Sequence, residues 1–270
     1  MERESESWHI ALFNKSLLKQ AKLKHLLEAS GLDRGSAEGL RCLDLGSDNG
    51  VISYFLRKCG GSWASGDLTK QSVDSITSLV KDDVHLLDPT SLPFANEEFD
   101  LVIVVDMLEH VEDDGQLLKE ISRTLKPGGR VVLNIPNEKA GSPLKWLRNQ
   151  IGQTDEAHGH LTSGYSASYI ASKLQGVFSI EKEKTYSRFF TELIDTLIVF
   201  AYSFVSGKGH GAEEGEVSKG LVVTEGELKK FEKKFKLYTA IYPIVWTFSR
   251  LDFLIPFVPG FMRIVTARKN

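Results

Sequence analysis

The apolar positions of the chain fall into three patterns. Between residues 8 and 30, Leu12, Leu17, Leu18, Leu23, Leu26 and Leu27 recur at helical spacing with lysines between them. Gly31 follows, which predicts one or two amphipathic helices ending there. From residue 41 the pattern shortens. RCLDL is a short apolar run, GSDNG breaks it and VISYFLRKCG resumes at helical spacing, so a strand, a tight turn and a helix start are expected. GGSWASGDL predicts a second strand, Lys70 to Val80 a helix, and DVHLLDPTSLPF a third strand stopped by Pro89 and Pro93. Phe99 to Val105 is nearly continuous in β-branched residues, as a strand buried on both faces requires. Gln116 to Leu125 reads as helix, LKPGG as a helix-stopping turn, RVVLNIP as a fifth strand, Ser166 to Leu174 as helix and VFSIEKEKTY as a sixth strand. This alternation specifies an α/β fold, a parallel sheet with helices on both faces.

Candidate chemistry collects where such strands end. Glycines in the turn Gly46, Ser47, Asp48, Asn49, Gly50 accept positive φ and leave backbone N–H groups open at the positive end of a helix, a setting for a nucleotide-like ligand. Asp67 closes the second strand about twenty residues later, where doubly wound folds place an acid against ribose hydroxyls. Asp88 ends the third strand. Asp106, Glu109 and His110 follow the fourth.

The set DLGSDNG, GDL, LLDPTSLPFANEEFDLVIVVDMLEHV and LKPGGRVVLNIPN resembles the class I S-adenosylmethionine-dependent methyltransferases, and among them the small-molecule group with the ubiquinone and menaquinone methyltransferases. The resemblance runs over roughly residues 40 to 186. It implies a Rossmann-like, seven-stranded, mostly parallel sheet whose last strand, MRIVTARKN, inserts antiparallel beside the sixth. It implies S-adenosyl-L-methionine as cofactor, with Asp44, Gly46 and Gly50 around its methionine part and Ser47 in the same turn. Asp67, with Leu68 beside it, is assigned to the ribose, Asp88 to the adenine amino group and Asp106 to the edge of the methionine pocket. One departure is Asp48, where the family usually has glycine. Related ubiquinone enzymes carry acids and a histidine at positions matching Asp106, Glu109 and His110, which raises a metal reading; the expectation here is no metal.

The remaining stretches concern the acceptor. Residues 137–165 form a long, weakly periodic connection of the kind that covers binding sites. His158, His160 and Tyr165 are expected above the reacting methyl, and His110, His158 and His160 are the candidate bases. Trp8 and Phe13 are either core packing of an N-terminal cap or a wall of the acceptor pocket. Residues 187–259 then read as an insertion: an apolar helix over 190–205, a polar glycine-rich loop, and a second helix over 228–258 opened by a capping box at Thr224 and Glu227. On that helix Leu228, Phe231, Phe235, Tyr238, Tyr242, Val245 and Trp246 share a stripe opposite Lys229, Lys230, Lys233 and Lys236. Asp195, Arg250, Asp252 and several prolines argue against a membrane span and for peripheral contact, with a homodimer through the same surface as the competing outcome.

The expected organisation is a helical cap (1–39), a cofactor-binding core (40–186 with 260–270) and the insertion (187–259). With 270 residues, 41% of them apolar, the chain has material for a real core. A net charge of −3 gives no field for nucleic acid, and no nucleic-acid partner is expected. Two cysteines make no disulfide framework, and the charged N-terminus lacks a secretory h-region, so a cytoplasmic location, at the inner face of a membrane, is expected. The leading expectation is methyl transfer to a small, hydrophobic or lipid-like acceptor. The alternative is a non-catalytic cofactor-binding or peripheral membrane scaffold.

Overall fold

The structure, a computed structural model, describes residues 8–138, 142–151, 154, 159–206 and 232–270. The N-terminal helical pattern resolves into two helices, α1 (Trp8–Phe13) and α2 (Leu17–Ser30). They are separated because Ser16 adopts extended backbone and its hydroxyl accepts the Lys19 N–H as an N-cap; Gly31, at φ 72°, closes α2 in the left-handed conformation. Next come β1 (Arg41–Leu45), α3 (Val51–Arg57), β2 (Ser62–Asp67), α4 (Lys70–Val80), β3 (Val84–Leu86), β4 (Phe99–Val105) and α5 (Asp114–Thr124). The order continues with β5 (Leu125–Pro136), α6 (Pro143–Gln150), α7 (Ala167–Leu174), β6 (Phe178–Tyr186), α8 (Phe189–Ser206), α9 (Glu232–Ser249) and β7 (Met262–Lys269).

The strands form one seven-stranded sheet in the order β3-β2-β1-β4-β5-β7-β6. The first five are parallel, and β7 runs antiparallel between β5 and β6. Strand order reverses between β1 and β4, and in open α/β sheets ligands bind outside the carboxyl ends of the strands at such a switch point. Alternate residues of the central strands serve the two faces. Leu43, Val102 and Val104 pack with Leu117 and Ile121 of α5 and Ile170 of α7, whereas Cys42, Ile103 and Val105 pack with Leu26 of α2 and Leu56 of α3. Each such large apolar side chain contributes about 2 kcal/mol by leaving water.

One local reading is corrected. LKPGG is not a turn before β5 but an irregularity within it: pairing steps from Phe99–Leu125 directly to Leu101–Arg130, and Gly128 takes φ 73°. Glu109 and His110 lie in a 3-10 turn, Leu108–His110, at the mouth of β4.

The segment between β6 and β7 packs back on the rest of the fold. The Asp252 carboxylate accepts the N–H groups of Arg188 at 2.8 Å and Phe190 at 2.8 Å, capping the start of α8. Helix α9 docks on the α1–α2 corner, where the Tyr238 hydroxyl donates to the Lys15 carbonyl at 2.8 Å and the Gln20 amide donates to the Tyr242 hydroxyl at 2.9 Å. Tyr238 and Tyr242 therefore face protein, not lipid as the single-stripe reading had them. The outward face of α9 is Ile241, Ile244 and Phe248. The capping box and Lys229, Lys230, Leu228 and Phe231 lie outside the described residues.

Candidate active site

The turn after β1 is built by exclusion. Gly46 sits at φ 86°, and a Cβ there would lie 2.2 Å from the Val105 carbonyl oxygen, so the ends of β1 and β4 approach only because residue 46 has no side chain. Gly50, at φ 79°, lies close under α4, its missing Cβ 2.7 Å from the Ile76 Cα. Asp48 adopts φ 57°, the left-handed conformation that explains why glycine is usual there and that aspartate tolerates better than most residues.

The acids divide by what holds them. Asp44 is fully buried, and its carboxylate accepts from Ser53, from Ser65 at 2.7 Å and from Arg57 at 3.4 Å. Burial raises its pKa against the pull of Arg57 and the two hydroxyls. These bonds tie β1 to α3 and β2, so the Asp44 carboxylate braces the turn from behind. Ser47 acts similarly, its hydroxyl accepting the Ser53 N–H at 3.0 Å. Asp67 is buried at the end of β2, accepts the Leu68 N–H at 2.7 Å, and reaches across the cleft to the Asp48 N–H at 3.2 Å. Asp88 is exposed, its carboxylate folded into its own turn on the Thr90 N–H at 2.8 Å and hydroxyl at 2.6 Å; these two bonds hold its pKa below the usual carboxylate value.

Opposite the glycine turn, Asp106 takes φ 45° and forms an ion pair with Lys22, a buried lysine delivered by α2 from 84 residues away. The Asn134 amide donates to the other Asp106 oxygen at 2.6 Å, and the Tyr186 hydroxyl donates to Asn134. Lys22, Asp106, Asn134 and Tyr186 thus form a continuous polar chain across the ends of β4, β5 and β6. Burial alone would lower the Lys22 pKa, but the Asp106 carboxylate more than offsets it and the ammonium is held above its usual range. Lys19, one turn earlier, lies 3.9 Å from Asp48; there burial wins and its pKa is lowered. Across from α2, burial raises the pKa of Asp195 on α8 despite the opposing fields of Arg148, Lys22 and Lys19. Helix α8 therefore turns its polar residues, Glu192, Asp195 and Thr196, inward and leaves Phe189, Leu197 and Phe200 exposed.

The 3-10 turn at the mouth of β4 is covered by residues 159–162, with the Leu161 N–H donating to the Glu109 carbonyl at 2.7 Å. The His110 Nδ1 lies 3.0 Å from the Gly159 carbonyl. A carbonyl only accepts, so Nδ1 carries the proton and Nε2 is the basic nitrogen of the neutral ring. The rings of His110 and His160 meet edge to face at 5.0 Å. His158 lies outside the described residues. Two aromatic residues weighed for the acceptor pocket lie in the core. Tyr165 is fully buried within the core on the α5–α7 side, where burial raises its phenol pKa well above the usual range, so it presents nothing to a ligand. Phe13 is buried against Phe55, ring centres 4.8 Å apart, and is core. Trp8 is half-buried and stacks on His9, whose ring meets Ser75 of α4 at 3.4 Å.

Sequence reasoning missed Lys22, Asn134 and Tyr186. The lysine looked like one more polar residue of an amphipathic helix, and only its flanking leucines, Leu23 and Leu26, signalled an inward face.

These features suit an amino-acid nucleoside. A buried carboxylate at the end of β2 complements sugar hydroxyls, a glycine turn offers backbone N–H groups, and the Lys22 ammonium supplies a cation for an amino-acid carboxylate. Residues 43–133 match the family described as "Methyltransferase domain". Over this stretch the chain is similar to the class I S-adenosylmethionine-dependent methyltransferases, and S-adenosyl-L-methionine is the cofactor of that class.

The particular likeness is to ubiquinone methyltransferases. The ubiquinone biosynthesis O-methyltransferase of Hydrogenovibrio crunogenus is 30% identical over 115 residues, covering 40% of this chain and 48% of that protein. That of Rhizobium rhizogenes is 30% identical over 141 residues, covering 46% and 57%. The chain thus spans about half the length of the curated relatives it matches. Among solved structures, the Haemonchus contortus phosphoethanolamine N-methyltransferase 2 in complex with S-adenosyl-L-methionine shares the fold, with a TM-score of 0.56 at 18% identity over 92% of this chain and 52% of that one. The MccD protein shares it with a TM-score of 0.55 at 13% identity over 93% and 98%.

Proposed function

We propose that the protein is an enzyme that moves the methyl group of S-adenosylmethionine to a small, lipid-like acceptor at the carboxyl end of β4. The observation that carries this reading is the convergence of the Gly46 turn, Asp67 and the Lys22–Asp106 pair on the switch point of the sheet. When bound, the cofactor supplies a methyl group activated by a positively charged sulfur. The chain's residues then have two tasks, alignment and exclusion of water. Asp67 orients the sugar, Lys22 and the glycine turn orient the amino-acid end, and α2, α8 and residues 159–162 close the space above. His110, with Nε2 basic, accepts a proton where the acceptor is a hydroxyl or amine, and His160 stands against it to hold the ring.

The polar inner face of α8 supports an acceptor whose reacting end is polar, while exposed Ile244 and Phe253 support a membrane-face location from which such an acceptor is drawn. Among the described residues no helix is long and apolar enough to cross a membrane, in keeping with peripheral contact. The non-catalytic alternative, raised by Asp48, loses its motive because the Asp48 backbone takes the conformation a glycine would take there. A second reading, with a divalent cation assisting, is favoured by one observation: Glu109, His110 and His160 each offer a ligand atom, all within 4.8 Å of one another. Incubating the full chain with methyl-labelled cofactor and a membrane lipid extract tests the proposal. Label in an extractable small molecule is expected, and a chain that binds cofactor yet labels nothing in any membrane or cytosolic extract contradicts it. Chelator sensitivity of that transfer separates the two readings of the histidines.

A further inference from the structure

A groove of about 960 Å³ lies on the opposite side of α2 from the cofactor cleft, between that helix, the β6–α8 link and the end of α9. Its charge is one-sided. Lys24, Lys184, Arg188 and Arg250 line it together with His25, and the one carboxylate among the lining residues, Asp252, is engaged with backbone N–H groups at the start of α8. At the rim Glu28 sits 2.7 Å from Lys184 and 3.7 Å from Lys24 and offsets about one of these charges. The arginines are pre-positioned. Arg188 donates to the carbonyls of Val258 at 2.9 Å and Pro256 at 3.2 Å, and the Arg250 guanidinium lies over the Trp246 ring at 4.6 Å. Burial, reinforced by Lys184, holds the His25 imidazole below its usual pKa, as a cationic surrounding should. All this sits in a chain whose net charge is −3.

The groove opens beside an apolar surface. Ile244, Phe253 and Phe257 are 72%, 73% and 81% exposed, and Trp246 and Phe253 belong both to the groove wall and to this surface. Fixed cations bordering exposed aromatic and aliphatic side chains suit the headgroup-to-acyl boundary of a bilayer. A second copy of the chain fits poorly, since a two-fold contact through this face would set one cationic groove against the other.

We propose that this groove binds the anionic headgroup of a membrane phospholipid and docks the protein on negatively charged bilayers, with the 241–257 surface entering the headgroup boundary. The inference rests on the membrane-face reading above and narrows it to one site and one lipid class. It also gives α2 two faces: Lys24 and His25 toward the bilayer, Lys22 toward the cleft.

Co-sedimentation of the full chain with vesicles of pure phosphatidylcholine and of phosphatidylcholine carrying about 30% phosphatidylglycerol tests it. Binding to the anionic vesicles is expected to be stronger by roughly tenfold or more, and to collapse toward the neutral level at roughly 0.5 M salt, where screening shortens to a few ångström. The double variant Lys24→Gln, Arg250→Gln should remove the preference while S-adenosylhomocysteine still binds; Phe253→Ser with Phe257→Ser should weaken binding to both vesicles. Equal binding to both compositions in wild type, insensitive to salt, overturns the headgroup site and leaves peripheral contact standing. Binding to neither overturns both.

Discussion

The floor and the roof of the cleft are built on opposite terms. The floor is backbone: Gly46 fits because it has no Cβ, and Asp44, Ser47 and Ser53 brace the turn from behind. The roof is side chains carried in from far along the chain, Lys22 from α2 and Asp195 from α8, held by charge in a partly buried space. A floor of this kind is set by sterics and admits one geometry, which suits a cofactor that never changes. A roof of charged side chains can be altered by single substitutions without disturbing the sheet; Lys22 serves the cofactor end, and the polar inner face of α8 around Asp195 suits the part that meets the acceptor.

Substitutions at the two levels should therefore fail differently. Gly46→Ala places a Cβ against the Val105 carbonyl at a positive φ and should cost about 3–4 kcal/mol in chemical denaturation, with cofactor binding lost as well. If that variant is as stable as wild type, the floor is not sterically set. His110→Asn should leave the melting temperature and cofactor affinity near wild type while slowing transfer to a hydroxyl or amine acceptor by about 100-fold or more. Lys22→Met strands Asp106 with only Asn134 as partner and should destabilise by about 1–2 kcal/mol, because the carboxylate keeps some contact with water. Adding Asp106→Asn should recover most of that loss, and a double-mutant cycle with no coupling would remove the ion pair from the account.

The same pair sets a pH signature. A lysine held above its ordinary 10.5 adds stability fully below that value and loses it as pH rises through the higher folded value, so wild type should lose urea resistance in the alkaline range more steeply than Lys22→Met. The smallest effect is expected at Asp48→Gly. It relieves a left-handed aspartate and forfeits a 3.9 Å contact with Lys19, for a gain below about 1 kcal/mol by thermal or urea denaturation.

How far the sequence could be read follows the same division. The helix expected from Lys70 to Val80 stands at those residues, Phe99 to Val105 is a central strand, and the final segment inserts antiparallel beside β6. Periodicity and turn chemistry are local, so elements made by them are legible. The bulge at LKPGG was hidden because Pro-Gly-Gly signals a turn equally well inside or between elements. Tyr165 read as ligand-facing, and Phe13 could be read either way, because an aromatic beside a site and an aromatic under it have the same local pattern. Lys22 and Asp106 are 84 residues apart, and no spacing rule joins them. Nor does any rule say that α9 turns Tyr238 and Tyr242 inward; a hydrogen bond to Lys15 decides it.

The most direct measurement is calorimetric titration of S-adenosylhomocysteine into the full chain, beside Asp67→Asn and Lys22→Met. One-to-one binding in the micromolar range, weakened by about tenfold or more in each variant, is the predicted result. Absence of binding in the folded wild type, or affinity untouched by both substitutions, contradicts the assignment of the cleft between β1 and β4 to the cofactor.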